Sequence, residues 1–213
     1  MESNQFRRRS RKLEQDLLRM GALVEDSFRL AHRSLFQREI ETIQQIPILD
    51  RKIDRLYRQI EVECAELMTL ASPAAQDLRL LSAFMQMVRD LERIGDYAKD
   101  IGEIALKLFP YPEHQVLPAV EQMSHHARAM LETSLVALAN LDGKAGPTVH
   151  RLDDDVDKAY ADIYHTLASQ TNIIGSIEPT ILLTLTIRHL ERMADHATNV
   201  AYRVTFIVTG SRK

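Results

Sequence analysis

The chain has 213 residues, 45% hydrophobic and 27% charged, with a formal net charge of -3. That length allows one large domain or two small ones, and the charge argues against a general nucleic-acid binder. The single cysteine, Cys64, excludes a disulfide framework and a cysteine zinc site, and suits a reducing cytosol.

No stretch approaches the roughly 18 apolar residues of a membrane span, and the opening MESNQFRRRSRK lacks the apolar core of a signal peptide. Seven glycines and seven prolines leave little punctuation, so long helices are favoured over short strands. The first helix is expected from about Phe6 to Gln37, with Leu13, Leu17, Met20, Val24, Phe28, Ala31 and Leu35 at helical spacing. Its first turns carry Arg7, Arg8, Arg9, Arg11 and Lys12. They read as a solvated helical end, with contact to a membrane surface or an acidic partner as the second reading.

The second helix runs from about Glu39 to Ala71, bent or broken near Pro47. Pro73 opens the third, which lasts to Leu108 before Phe109-Pro-Tyr-Pro112 stops it. The fourth spans about Pro118–Leu141, the fifth about Pro147–Gln170, and the sixth runs from Glu178-Pro179 to Thr209-Gly210. Ile173-Ile174 is too short for a strand. The expected class is all-α, with six helices in two tandem three-helix bundles, residues 1–109 and 113–213.

A repeat underlies this division. RDLERIGDYAKDIG at Arg89–Gly102 returns ninety-nine residues later as RHLERMADHATNVA at Arg188–Ala201, with six of fourteen positions identical. LDRKIDRLY at Leu49–Tyr57 likewise answers LDDDVDKAY at Leu152–Tyr160. Each segment keeps two acids four residues apart: Asp50/Asp54, Glu92/Asp96, Asp153/Asp157 and Glu191/Asp195. Like charges at that spacing repel by about 0.2–0.5 kcal/mol on a helix. Keeping the cost twice calls for a compensating cation, either an arginine or a metal.

If helices two and three form a hairpin turning near Ser72, the acids of both helices come to one height, and the second half repeats the arrangement around Gly175. Both acidic rows are displaced from the apolar stripes in the same rotational sense, so they share one side of the hairpin. Arg89, Arg93, Arg188 and Arg192 are available as salt-bridge partners, which is the plainer reading of a solvated face. The sharper reading is a surface metal site. All-carboxylate ligation favours hard cations, with Asp100 and Asn199 adding an oxygen each one turn on. No Glu-x-x-His follows the pairs, so the usual di-iron layout is incomplete. His125-His126 diverge on their helix and read as surface residues, and His196 as a surface neighbour of the second site. Met85, Met87 and Met193 read as core filler. No phosphate-cradling glycine loop or nucleophile elbow is present, and no catalytic activity is expected.

Glu92-Arg-Ile-Gly-Asp96-Tyr and Glu191-Arg-Met-Ala-Asp195-His resemble the duplicated signature of the PhoU family. Met20-Gly-Ala-Leu-Val-Glu25, Pro73-Ala-Ala-Gln-Asp-Leu-Arg79 and the closing Val208-Thr-Gly210 fit it as well, so the resemblance extends from about Phe6 to Gly210. It implies two similar three-helix bundles, commonly a homodimer, in the bacterial cytoplasm. It also implies negative control of phosphate uptake and of the phosphate-starvation response. The implied mechanism is an adaptor between the ATPase subunit of the phosphate ABC transporter and a phosphate-sensing histidine kinase, with membrane association only through those partners. Metal clusters of Fe, Mn, Mg, Zn or Ca on the acidic motifs are a further implication. The sequence departs from the family at Asp100, where Asn is usual, and at Tyr202, where Glu is usual. The second half also lacks the Asp-Leu-Arg opening, so the first bundle is the closer match. The alternatives are a carboxylate-bridged di-metal oxidoreductase and a purely structural helical scaffold.

Overall fold

In a computed structural model, which describes residues 2–69, 74–171 and 175–211, the chain is built from six α-helices and one 3-10 segment. They are α1 (Glu2–Phe36), a 3-10 turn (Ile40–Gln45), α2 (Ile46–Thr69), α3 (Ala75–Leu108), α4 (Leu117–Asn140), α5 (Gly146–Ala168) and α6 (Glu178–Thr209). No strand occurs among the described residues, as expected. The turn at Ser72, the opening Pro73 and the pair Ile173-Ile174 lie outside the described residues.

The interruption expected near Pro47 is the change from the 3-10 segment to α2, whose first turn holds Pro47. A first-turn proline has no N–H to lose to the helix ladder, so the ring is tolerated there. Just past the end of α1, Arg38 takes a positive φ of 56°. Leu141 (φ 49°) and Gly210 (φ 76°) take the same left-handed geometry at the ends of α4 and α6. The N–H of Gly210 closes α6 onto the carbonyl of Phe206 at 2.9 Å.

Each apolar stripe goes inward. Leu13, Leu17, Met20, Val24, Phe28, Ala31 and Leu35 of α1 are all buried, as are Phe84, Met87, Leu91, Ile94, Ala98 and Ile101 of α3. Ile53, Leu56, Ile60 and Leu67 of α2 join them, with Leu49 at the edge. Met87 and Met193 fill core space and Met85 packs against it. Cys64 is fully buried, and burial pushes its thiol up to about 12, so it acts as a small apolar side chain.

Helices α1, α2 and α3 pack on one another, and so do α4, α5 and α6, giving two tandem bundles. The bundles then join through α1 against α4 and α3 against α6. Four helices therefore close an inner ring in the order α1–α3–α6–α4, with α2 and α5 flanking it on opposite sides. At the α1–α4 crossing, a Cβ on Gly21 would run into the side chain of Leu135, so glycine permits the close approach.

The α3–α6 crossing brings the sequence repeat against itself. Asp90 Oδ1 accepts from His196 Nδ1 at 2.8 Å and from the Asn199 amide at 3.3 Å. Asp100 stands 4.0 Å from His189 Nε2 at the other end of the crossing. Under the ninety-nine-residue shift Asp90 corresponds to His189 and Asp100 to Asn199, so the two contacts exchange. The ring of Tyr97 lies between those of His189 and His196, with centroids 5.4 and 6.0 Å away. The chain thus joins its halves as a symmetric dimer would, through one surface used twice.

Candidate functional site

The first acidic patch forms where α2 and α3 run antiparallel. Lys99 Nζ reaches Asp50 Oδ2 at 2.7 Å, and Gly95 and Gly102 of α3 approach Ile53 and Ile46 of α2 in the matching order. This register brings Asp50 and Asp54 beside Glu92 and Asp96. Burial raises the Glu92 carboxyl above its ordinary range, and the charges of Asp96, Asp54 and Asp50 add to the rise. Burial likewise raises Asp96, helped by Asp50 and Asp54, against the opposing cations Arg93 and Lys99. Charges act on one another this way only when they lie close, so the four acids share a patch. Asp50 is the deepest, nearly buried, and Lys99 answers it: the hydrogen bond to Asp50 holds the ammonium above its usual value. Arg93 stands only loosely against Glu92 (3.7 Å) and Asp96 (3.6 Å), and Arg58 lies 3.6 Å from Asp54.

The second patch repeats this between α5 and α6 with different compensation. Asp153, Asp157 and Glu191 are all raised, each by burial first. The charge of Asp195 raises all three further, Asp157 acts on both Asp153 and Glu191, and Asp154 adds to the rise at Asp157. The position of Lys99 is taken by Thr198, whose hydroxyl donates to Asp153 Oδ1 at 3.3 Å. No ammonium enters this patch from α6. Instead Arg188 pairs with Glu191 at 2.7 Å and Arg192 with Asp195 at 2.8 Å, each within its own helix.

The eight paired acids of the repeat therefore come together as two quartets. Asp100 and Asn199 instead find their neighbours, His189 and Asp90, across the α3–α6 crossing. His196 is half-buried there and engaged with Asp90, so it is not the surface neighbour expected of it. Arg9 ties the N-terminal turn to α2 through Glu63 and Glu66, both at 2.6 Å, while Arg7, Arg8, Arg11 and Lys12 stay exposed. Among the described residues, neither quartet brings one oxygen from each of three carboxylates within 4.8 Å of one another.

One cluster does meet that distance, and sequence reasoning missed it: His32 of α1 with Glu121 and His125 of α4. His125 is exposed as expected and does diverge from His126, but its partner lies on another helix. The available signals were a histidine following Ala31 on the buried stripe of α1 and the Glu-x-x-x-His spacing at Glu121/His125.

Comparison with known proteins agrees with this architecture. The family model described as the PhoU domain matches residues 17–105 and again 120–204. A phosphate-specific transport system accessory protein PhoU homolog from Synechocystis is 57% identical over 212 residues, covering 100% of this chain and 95% of that protein. A homolog of the same name from Deinococcus radiodurans is 31% identical, with 92% of each covered. The crystal structure of PhoU from Pseudomonas aeruginosa superposes with a TM-score of 0.89 at 29% identity, covering 97% of this chain and 100% of that one. The phosphate transport system regulatory protein PhoU from Streptococcus pneumoniae gives a TM-score of 0.88 at 27% identity, covering 98% and 99%. These names are those of accessory and regulatory proteins, the class expected of a chain without catalytic activity of its own. With its helical signature matched in both halves and its length spanned by these relatives, the chain belongs to the PhoU family.

Proposed function

We propose that the chain is a cytoplasmic accessory protein of phosphate transport that restrains phosphate uptake and the phosphate-starvation response. It acts as an adaptor between the ATPase subunit of the phosphate ABC transporter and a sensor histidine kinase, and works as a homodimer of two-bundle subunits with units 1–109 and 113–213. The relatives named as phosphate transport accessory proteins support this reading. So does the fact that no described helix is long and apolar enough to cross a membrane, as a partner-borne adaptor requires.

The acidic quartets are its proposed metal sites. Asp50, Asp54, Glu92 and Asp96 would hold one cluster; Asp153, Asp157, Glu191 and Asp195 the other. Asp100 and Asn199 serve as outer oxygen donors, the latter with the carbonyl left over after its amide engages Asp90. The donor set fits: hard oxygen ligands at several positions, their charge only partly answered, suit Mg, Mn, Ca or ferric iron. The bound cation would neutralise the quartet and stiffen the α2–α3 or α5–α6 face, turning a repelling surface into one that a partner can use. The duplicated quartet is the observation that carries this reading, because an arginine-paired solvated face has no need to be built twice at one register. The scaffold reading draws on the tight pairs Arg188–Glu191 and Arg192–Asp195.

Replacing Asp96 and Asp195 together with Asn, and following a phosphate-responsive reporter, separates the two. The adaptor reading predicts derepression at high phosphate with the protein still folded. Unchanged repression would remove the quartets from the mechanism.

A further inference from the structure

We propose that His32, Glu121 and His125 form a zinc-class site that clamps the first bundle to the second, independently of the acidic quartets. Each residue offers one ligand atom, and the three atoms lie within 4.8 Å of one another. Glu121 and His125 stand four residues apart on α4, a spacing that turns both side chains to one face. His32 meets them from α1, across the crossing where Gly21 approaches Leu135. His32 Nε2 already stands 3.8 Å from Glu121 Oε1, and the His32 and His125 ring centroids are 4.7 Å apart. Tetrahedral zinc with bonds of about 2.0–2.2 Å places its ligand atoms roughly 3.3–3.5 Å apart, so small side-chain rotations close the site.

The surroundings match what such a site needs. His32 is only 4% exposed, and its Nδ1 lies 3.0 Å from the hydroxyl of buried Ser124. In the tautomer that donates Nδ1–H to Ser124, the Nε2 lone pair faces Glu121. A hydrogen bond of this kind, made by the distal ring nitrogen, is what orients a metal-bound histidine. His125 is exposed and Glu121 half-exposed, giving the site access from solvent and an open fourth position for water. Two imidazoles and one carboxylate favour zinc over the hard cations suited to the quartets. Because its ligands come from α1 and α4, the ion would bind only the joined arrangement and stabilise it by linkage.

The test titrates zinc chloride into the chelator-treated full chain in excess magnesium, which occupies all-carboxylate sites. The wild type should bind one tight zinc equivalent, give the visible absorption of tetrahedral cobalt(II) when cobalt replaces zinc, and melt at higher temperature with zinc. His125→Ala and Glu121→Gln, both at accessible positions, should each weaken zinc at least tenfold and abolish the thermal shift. His126→Ala should leave both intact. Wild-type affinity in the His125 and Glu121 variants, or an equal loss in the His126 variant, would overturn the site. A parallel manganese titration of the same variants distinguishes loss of this site from loss of the quartets.

Discussion

The two acidic patches hold the same four carboxylates in the same register, yet they settle their charge in opposite ways. In the first, Lys99 reaches across from α3 and pairs with the nearly buried Asp50 at 2.7 Å. In the second, Thr198 occupies the lysine's position and offers Asp153 a neutral hydroxyl at 3.3 Å. The arginines there stay on α6 and pair along it, leaving Asp153 and Asp157 on α5 without a lysine or arginine partner among the described residues. One residue of the repeat thus separates a patch whose α2 acid is met by a lysine from one whose α5 acids are met by a hydroxyl alone, with the arginine pairs confined to α6.

The largest stability effect should come from breaking the first arrangement. Asp50→Asn takes from Lys99 its 2.7 Å partner, leaving only the more distant Asp96 and Asp54, and should cost about 0.5–1 kcal/mol in metal-free protein by denaturant unfolding. The corresponding Asp153→Asn should do the reverse and stabilise metal-free protein by roughly 0.5 kcal/mol, because it relieves repulsion and forfeits no ion pair. Its pH dependence follows from the raised Asp153 carboxyl. A folded pKa above the unfolded value of about 3.9 means that stability is full below that value and is lost as pH rises through the folded pKa. Asparagine removes that loss, so the gain should appear at neutral pH and fade by about pH 4. Equal effects of the same sign at 50 and 153 would erase the distinction between the patches.

Much of this was legible in the chain itself. Apolar spacing named the buried faces of α1 and α3 residue by residue, because a long amphipathic helix has only one way to turn its stripe inward. The repeat and the hairpin register were enough to assemble the quartets, since antiparallel helices of known length fix height. The compensating cations were harder. Lys99 lies three residues beyond Asp96 and escapes a pattern of spacings, because its reach to Asp50 depends on how far α2 and α3 are rotated against each other. The His32–Glu121–His125 cluster was out of reach for a stronger reason: it spans the α1–α4 crossing, and no local pattern encodes which faces of two bundles meet. Asp100 and Asn199 illustrate the same point, since their partners His189 and Asp90 belong to the opposite half.

If the quartets are cation sites, the residue at 99 or 198 should set their strength. Anomalous diffraction from crystals grown with limiting manganese can decide this, using wild type and the reciprocal variant Lys99→Thr/Thr198→Lys. Removing or adding one unit charge about 4 Å from a divalent ion in water is worth about 2 kcal/mol, roughly a thirtyfold change in affinity. The wild type should show manganese chiefly at Asp153, Asp157, Glu191 and Asp195, and the exchanged variant chiefly at Asp50, Asp54, Glu92 and Asp96. Manganese at neither quartet, or an occupancy order that the exchange leaves untouched, would show that the quartets do not work this way.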